Sequence, residues 1–500
     1  MISPGSVKKL FLANNYSFAL IMKIAHNKKQ LYILIVTTLS SFLTPFMGSA
    51  VNVALPAISR EFSMTALSLG WVATSFILAA AITLIPLGRL ADIYGRRRFY
   101  IYGALIFTVA SSFCIWSPTQ FFLIAARALQ GIGGAMIFST GTAMLISAYP
   151  PSERGKILGI NITAVYVGLT VGPFIGGLLT QYLGWRYIFL FTVFLGVAMV
   201  YITMALIEEE SSVNENEGFD WAGSLIYAIA LFSIMYGFSQ LPTMKAGFLI
   251  GTGVVFLALF IFQQLKSPFP LLDIHLFLNN KVFAFSNLAA LINYSATFVV
   301  TFLLSLYLQN IKLLTPAHTG VILVAAPVMQ ALISPFAGRL SDRFEPQIIA
   351  SIGMALTVIG LILLIFLNGS TSIDYVLFCL LLLGVGFALF SSPNTNATMS
   401  AVDKKYYGVA SATLGTMRLT GQMFSMGITM LVFAVILGNH PISEANHQLF
   451  LKSNKLIFSI LSVICCGGIF ASLARGKMHN GEKLKPPEGF LNKNENNSLR

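Results

Sequence analysis

Long apolar runs separated by short polar stretches make up most of the chain. Fourteen of them reach the roughly 20 residues that a helix needs to cross a hydrocarbon layer. They lie at 31–55, 69–88, 99–117, 119–149, 157–180, 185–207, 220–240, 246–264, 282–308, 316–337, 347–367, 372–397, 406–437 and 452–474. Backbone N–H and C=O groups in lipid must find partners within their own segment, so each run is predicted to be a helix. A membrane barrel would show ten-residue segments of alternating polarity, and runs such as Leu356 to Leu367 do not alternate. The pattern predicts an all-α membrane protein with 14 transmembrane helices.

Composition agrees. Of 500 residues, 56% are hydrophobic and 10% charged, and the mean hydropathy is +0.79. Soluble domains carry about 25% charge, so a soluble enzyme is excluded and the bilayer is the expected solvent. The net charge of +13 does not point to nucleic acid, because the basic residues are scattered between apolar runs. With the N-terminus inside, 23 Lys and Arg fall in the tails and loops on that side. Six fall on the other, and Arg127 and Arg418 lie within helices, which accounts for all 31. This bias predicts a multi-pass protein of the cytoplasmic membrane with both termini cytoplasmic.

Residues 1–30 hold Lys8, Lys9, Lys23, Lys28 and Lys29 around a short apolar stretch with no small-residue cleavage pattern. They read as a tail rather than a removable signal, with Met22 an alternative start to Met1. Cys114, Cys379, Cys465 and Cys466 sit in apolar runs without metal-ligand spacing, so neither a disulfide framework nor a metal site is expected. No Gly-x-x-x-x-Gly-Lys-Ser/Thr phosphate loop, His cluster or nucleophile elbow occurs. No cofactor and no catalytic residue are therefore assigned, and a monomer is expected.

Sliding the chain by about 250 residues reveals a repeat. Gly88-Arg89-Leu90-Ala91-Asp92 falls on Gly338-Arg339-Leu340-Ser341-Asp342. Gly131, Gly133, Gly155 and Gly168 fall on Gly384, Gly386, Gly408 and Gly421. The predicted organisation is a tail (1–30), a six-helix bundle (31–207), an acidic linker (208–219) and two inserted helices (220–264). A second linker (265–281), a second six-helix bundle (282–474) and a tail (475–500) follow. Two parallel halves place a chamber between them that opens alternately to either side as they rock, which is how transporters are built.

Gly88, Asp92, Gly95, Arg96 and Arg97, with Gly338, Asp342 and Arg343 in the second copy, form the first motif. Its glycines allow close backbone approach, and Asp92 can bond helix-terminal N–H groups or the arginines, latching one face. The plainer reading makes these arginines positive-inside anchors. Arg127 and Arg418 must face protein or water, and the plainer reading has them holding backbone carbonyls. Gly168, Gly172, Pro173, Gly176 and Gly177 give one helix a flat, kinkable face.

These stretches resemble the major facilitator superfamily. Gly88 to Arg97 is similar to its cytoplasmic loop signature, Arg127 to Gly134 to its helix-four motif, and Gly168 to Gly177 to its antiporter-associated helix-five motif. Val51-Asn52-Val53-Ala54-Leu55-Pro56, Gly184-Trp185-Arg186, Asp220-Trp221-Ala222-Gly223 and Tyr307-Leu308-Gln309 resemble the fourteen-helix drug:proton antiporter branch. The resemblance implies export of amphipathic small molecules by alternating access, a conformational latch in the loops, and proton exchange, with Arg127 and Arg418 as coupling candidates. It departs at helix one, where the branch commonly carries an aspartate five residues before the asparagine and this chain has Met47. A proton antiporter needs a buried group whose pKa desolvation moves toward neutrality, and methionine does not titrate. None of the 18 acidic residues is expected at mid-membrane depth. Proton exchange, a narrow metabolite exporter, an uncoupled facilitator and a non-transporting sensor therefore all remain open. Asn52, Gln130, Tyr166, Asn293, Gln309, Asn394 and Asn396 are the polar candidates for the chamber lining, or for helix-packing hydrogen bonds.

Overall fold

The computed structural model describes residues 28–150, 153–207, 218–402, 407–438, 440, 442 and 444–476. The tail 1–27, most of the acidic linker (208–217) and the tail beyond 476 lie outside the described residues, as do the side chains of Asp342 and Gly408.

Among the described residues, fourteen helices are long and apolar enough to cross a membrane. The first half contains α1 (Lys28–Phe62), α2 (Ala66–Tyr94), α3 (Arg96–Ile115), α4 (Gln120–Ala148), α5 (Arg154–Tyr182) and α6 (Arg186–Leu206). Helices α7 (Trp221–Gln240) and α8 (Met244–Lys266) follow, then a short helix, Ile274–Asn279. The second half contains α9 (Lys281–Ile311), α10 (Pro316–Ser341), α11 (Pro346–Ile365), α12 (Ile373–Ser400), α13 (Tyr407–Ile436) and α14 (His447–Ala474). Helices α1, α2 and α5 run past their apolar runs at both ends into polar flanks, because hydrophobicity marks only the stretch that lipid surrounds.

Helix starts are written locally. Thr65, Thr119, Asp220, Thr243, Thr315 and Ser372 each accept a hydrogen bond from the backbone N–H three residues on. This satisfies one of the four donors that a helix start leaves open. Prolines at 45, 56, 86, 173, 335 and 393 lie inside helices, where neighbouring helices supply the packing that makes them tolerable.

The two halves use one pairing scheme. In the first, α1 packs on α5 and α6, α2 on α4, and α3 on α4 and α6. In the second, α9 packs on α13 and α14, α10 on α12, and α11 on α12 and α14. The halves meet through α2 against α13 and α5 against α10, contacts that exchange under a two-fold operation.

Matched glycines set matched crossings. A Cβ on Gly133 would stand 2.5 Å from Phe107 N, and one on Gly386 would stand 2.8 Å from Gly353 O. Both clash with the backbone of the neighbouring helix, α3 or α11. Gly168 likewise abuts Phe42 and Phe46 on α1, and Gly421 abuts Leu291 and Ser295 on α9. The sequence repeat is thus a repeat of helix-to-helix close approaches.

The α7–α8 hairpin lies outside both bundles, with 17% of the α8 window buried against 72% for α2. It leans on α2 through Tyr227, whose hydroxyl donates to Ala81 O at 3.3 Å, and through Trp71 and Tyr236. It also touches α13, where Phe238 meets Phe424 edge-on.

Candidate functional site

Because the spans alternate in direction, Lys28 and Ala474 lie on one face, here the terminal face, and the 63–65, 183–185 and 312–315 turns on the opposite one. At the opposite face the halves close on each other. A Cβ on Gly177 would collide with the Pro316 carbonyl, and one on Gly320 with that of Pro173. The Gln181 side chain accepts from Ala317 N at 3.1 Å. Gln309 donates from Nε2 to Val53 O at 2.8 Å, joining α9 to α1. It stands in a π turn, Tyr307–Ile311, so two motif stretches distant in sequence meet across the seam.

The glycine face of α5 is therefore divided. Gly168, Gly172 and Gly176 seat α1 at Phe42, Ser49 and Ala50 within the first half. Pro173 and Gly177 face α10 of the second half.

The terminal face is arranged differently. Asp92 accepts from Arg96 Nε at 2.7 Å, both side chains partly exposed. Arg97 donates from Nη2 to the carbonyls of Thr203 (3.3 Å) and Met204 (3.1 Å), fastening α3 to the end of α6. Gly95 has φ +108°, a backbone that side chains resist, so it makes the tight turn between α2 and α3. Gly88 lies against Ser139, and Gly338 against Ser392. Arg343 is exposed, and Asn396 donates to Ser341 Oγ at 2.8 Å. These bonds all join partners within one half.

The two intramembrane arginines have different surroundings. Arg127 is 2% exposed, donates from Nε to Val72 O at 3.2 Å and from Nη1 to Gln130, and covers the Phe76 ring. Gln130 passes the link on to Ser111 Oγ at 2.7 Å, so α2, α3 and α4 are joined inside the first half. Arg418 on α13 is only partly buried. Its guanidinium lies 5.0 Å from the Tyr294 ring centroid, and its Nε has no hydrogen-bond partner. Tyr294 meets Phe387 edge-on.

Beside Arg418, Tyr166 crosses the seam. Its hydroxyl accepts from Ser334 Oγ at 3.2 Å, and Ser391, Arg418 and Tyr294 are the other groups in its surroundings. Tyr166 comes from α5, whereas Tyr294, Ser334, Ser391 and Arg418 come from α9, α10, α12 and α13. Sequence reading singled out Tyr166 and Arg418 and missed the other three, since one serine or tyrosine in an apolar run carries no signal until its neighbours are known.

Of the other lining candidates, Asn52, Gln130, Asn293 and Asn394 are buried. Asn394 donates to Ser286 O at 3.1 Å, and Asn293 leaves both amide atoms without a hydrogen-bond partner. Met47 is wholly buried against Thr192 of α6. Every described Asp and Glu sits at a helix end or in a connection. No group of three or more His, Cys, Asp or Glu able to hold a metal occurs among the described residues.

The family model for the Major Facilitator Superfamily matches residues 37–426. The chain is 26% identical over 446 residues to the riboflavin transporter RibZ of Clostridioides difficile (strain 630), covering 89% of this chain and 97% of that protein. It is 32% identical over 415 residues to the multidrug resistance protein Stp of Mycobacterium tuberculosis (strain CDC 1551 / Oshkosh), covering 82% and 76%. Among solved structures, a bacterial homologue of the human lysosomal transporter Spinster, inward-facing and unoccupied, superposes with a TM-score of 0.63 at 16% identity, covering 90% of this chain and 98% of that one.

Proposed function

Since the chain belongs to the major facilitator superfamily, and is thereby a membrane transporter, we propose that it exports amphipathic small molecules by alternating access around the Tyr166–Arg418 cluster. The observation that carries this is the closed opposite face: α5 and α10 meet without side-chain space at Gly177 and Gly320, while the bonds of Arg96 to Asp92 and of Arg97 to Thr203 and Met204 stay within the first half. Rocking the halves about the central cluster would part that seam and bring the signature loops together. Resemblance to a multidrug resistance protein supports the substrate class, and the positive-inside count supports cytoplasmic termini, with Gly88, Asp92, Gly95, Arg96 and Arg97 as the latch on that side. The domain limits read from the sequence, with α7 and α8 as an insertion between the halves, belong to the same proposal.

A second reading concerns energy. With Met47 on helix one and no acid mid-helix, the substrate's own gradient drives transport and no proton is exchanged. Proteoliposomes assayed across a compound panel, with a pH gradient on and off, test both readings. Absence of transport for the whole panel removes the first, and substrate-dependent proton flux removes the second.

A further inference from the structure

We infer that the central cluster is an anion-recognition site, in which Arg418, held against Tyr294 and flanked by Tyr166, Ser334 and Ser391, selects amphiphiles bearing a carboxylate or sulfonate over cationic ones. The inference rests on the transport reading and adds a charge preference to it.

The first support is the lack of a counter-charge. No carboxylate among the described residues pairs with Arg418, and all the described acids lie toward the helix ends. Arg418 is only partly buried, and where protein replaces part of the bulk solvent around a guanidinium the screening is weaker and a nearby charge is felt more strongly. An anion gains from that field and a cation is opposed by it.

The second support is the contrast with Arg127. There the fold occupies the guanidinium with a carbonyl, an amide oxygen and a phenyl ring. Arg418 has the aromatic support alone, and its Nε is unpartnered. A face-on ring steadies the planar cation while leaving its in-plane donors, the ones that match a carboxylate fork, unspent.

The third support is the composition of the rim. The Tyr166, Ser334 and Ser391 hydroxyls can donate to an oxyanion and add charge-assisted bonds at the same spot. Tyr166 and Ser334 come from opposite halves. An anion that draws both hydroxyls toward itself therefore loosens the bond across the seam, which ties substrate binding to rocking.

Dansylglycine (anionic), dansylglycinamide (neutral) and dansylcadaverine (cationic) share one fluorophore and make the test. Uptake of each into proteoliposomes is measured for the wild-type chain, Arg418→Gln and Arg418→Lys. The expected ranking for wild type is dansylglycine first and dansylcadaverine last. Arg418→Gln should slow dansylglycine roughly tenfold and leave dansylglycinamide within about twofold, and Arg418→Lys should retain the anion preference. Equal or faster transport of dansylcadaverine by wild type overturns the inference and needs no variant to fold. A uniform slowing of all three compounds by Arg418→Gln overturns it as well. If wild type moves neutral or cationic compounds alone, the charge preference falls and the transport reading survives. Inertness toward the whole panel removes both.

Discussion

Arg127 and Arg418 show how far neighbours decide what a side chain does. Sequence placed both inside apolar helices and assigned each the same two roles. The difference appears only where Val72, Gln130 and Ser111 converge on one of them and aromatic rings on the other. Arg127→Gln should cost about 1.5–3 kcal/mol, the range for hydrogen bonds from a charged donor, read as a lower melting temperature in detergent with the order of substrate preference unchanged. A change in that order would place Arg127 in the chamber instead. At the opposite face Glu61 receives two bonds from Arg186 (2.7 and 2.6 Å) and one from Trp185 (2.7 Å). Both charged side chains are more than a third solvent-exposed, so Glu61→Gln should lower stability by only about 0.5–1 kcal/mol, measured in the same melt. Arg475, counted in sequence with the C-terminal tail, is 1% exposed, bonds Ser472, and has its guanidinium pushed down to about 10 by burial.

Among elements, hydrophobic length made the fourteen spans legible, and turn residues such as Thr65, Thr119 and Ser372 marked several starts. What the pattern did not contain is the break of α9 at Phe298, between Lys281–Thr297 and Val299–Leu306, and its closing π turn. Nothing local in 297–311 breaks a helix; the causes are distant. The Val299 N–H turns to Ser425 Oγ at 3.2 Å, and Gln309 reaches Val53. The glycines of α4 and α5 separate two kinds of close approach. Gly133→Leu should destabilise by about 1–3 kcal/mol through overpacking, because it sits at a permanent crossing inside one half. Gly177→Val should leave the melting temperature nearly unchanged yet suppress transport, since it fills a contact that rocking parts and remakes. Labelling of a cysteine introduced at Gln181 should then increase, reporting an opened seam; unchanged labelling with normal transport would show that Gly177 is not part of a gate.

For the molecule as a whole, the glycine matches at an offset near 250 announced the two halves, and the structure expresses them as identical helix pairings. The site was less legible, because it is assembled from five helices, and a tyrosine and two serines become meaningful only when the halves face each other. The lack of an acid in mid-helix carries its own expectation. Dansylglycinamide flux should be the same with and without an imposed pH gradient, and a gradient-dependent rate would show a titrating group at work.

The hairpin of α7 and α8 gives the two flanks of the molecule different exposures. It bridges α2 and α13 from outside, with Tyr227 and Trp71 on one side and Phe424 on the other, and roofs that flank against acyl chains. The α5–α10 flank has no such roof. On the proposed rocking cycle, an amphiphile dissolved in a leaflet would meet a molecule with a back and a front, and sideways entry is expected at the front. Each swing would also slide α2 and α13 beneath these aromatic contacts.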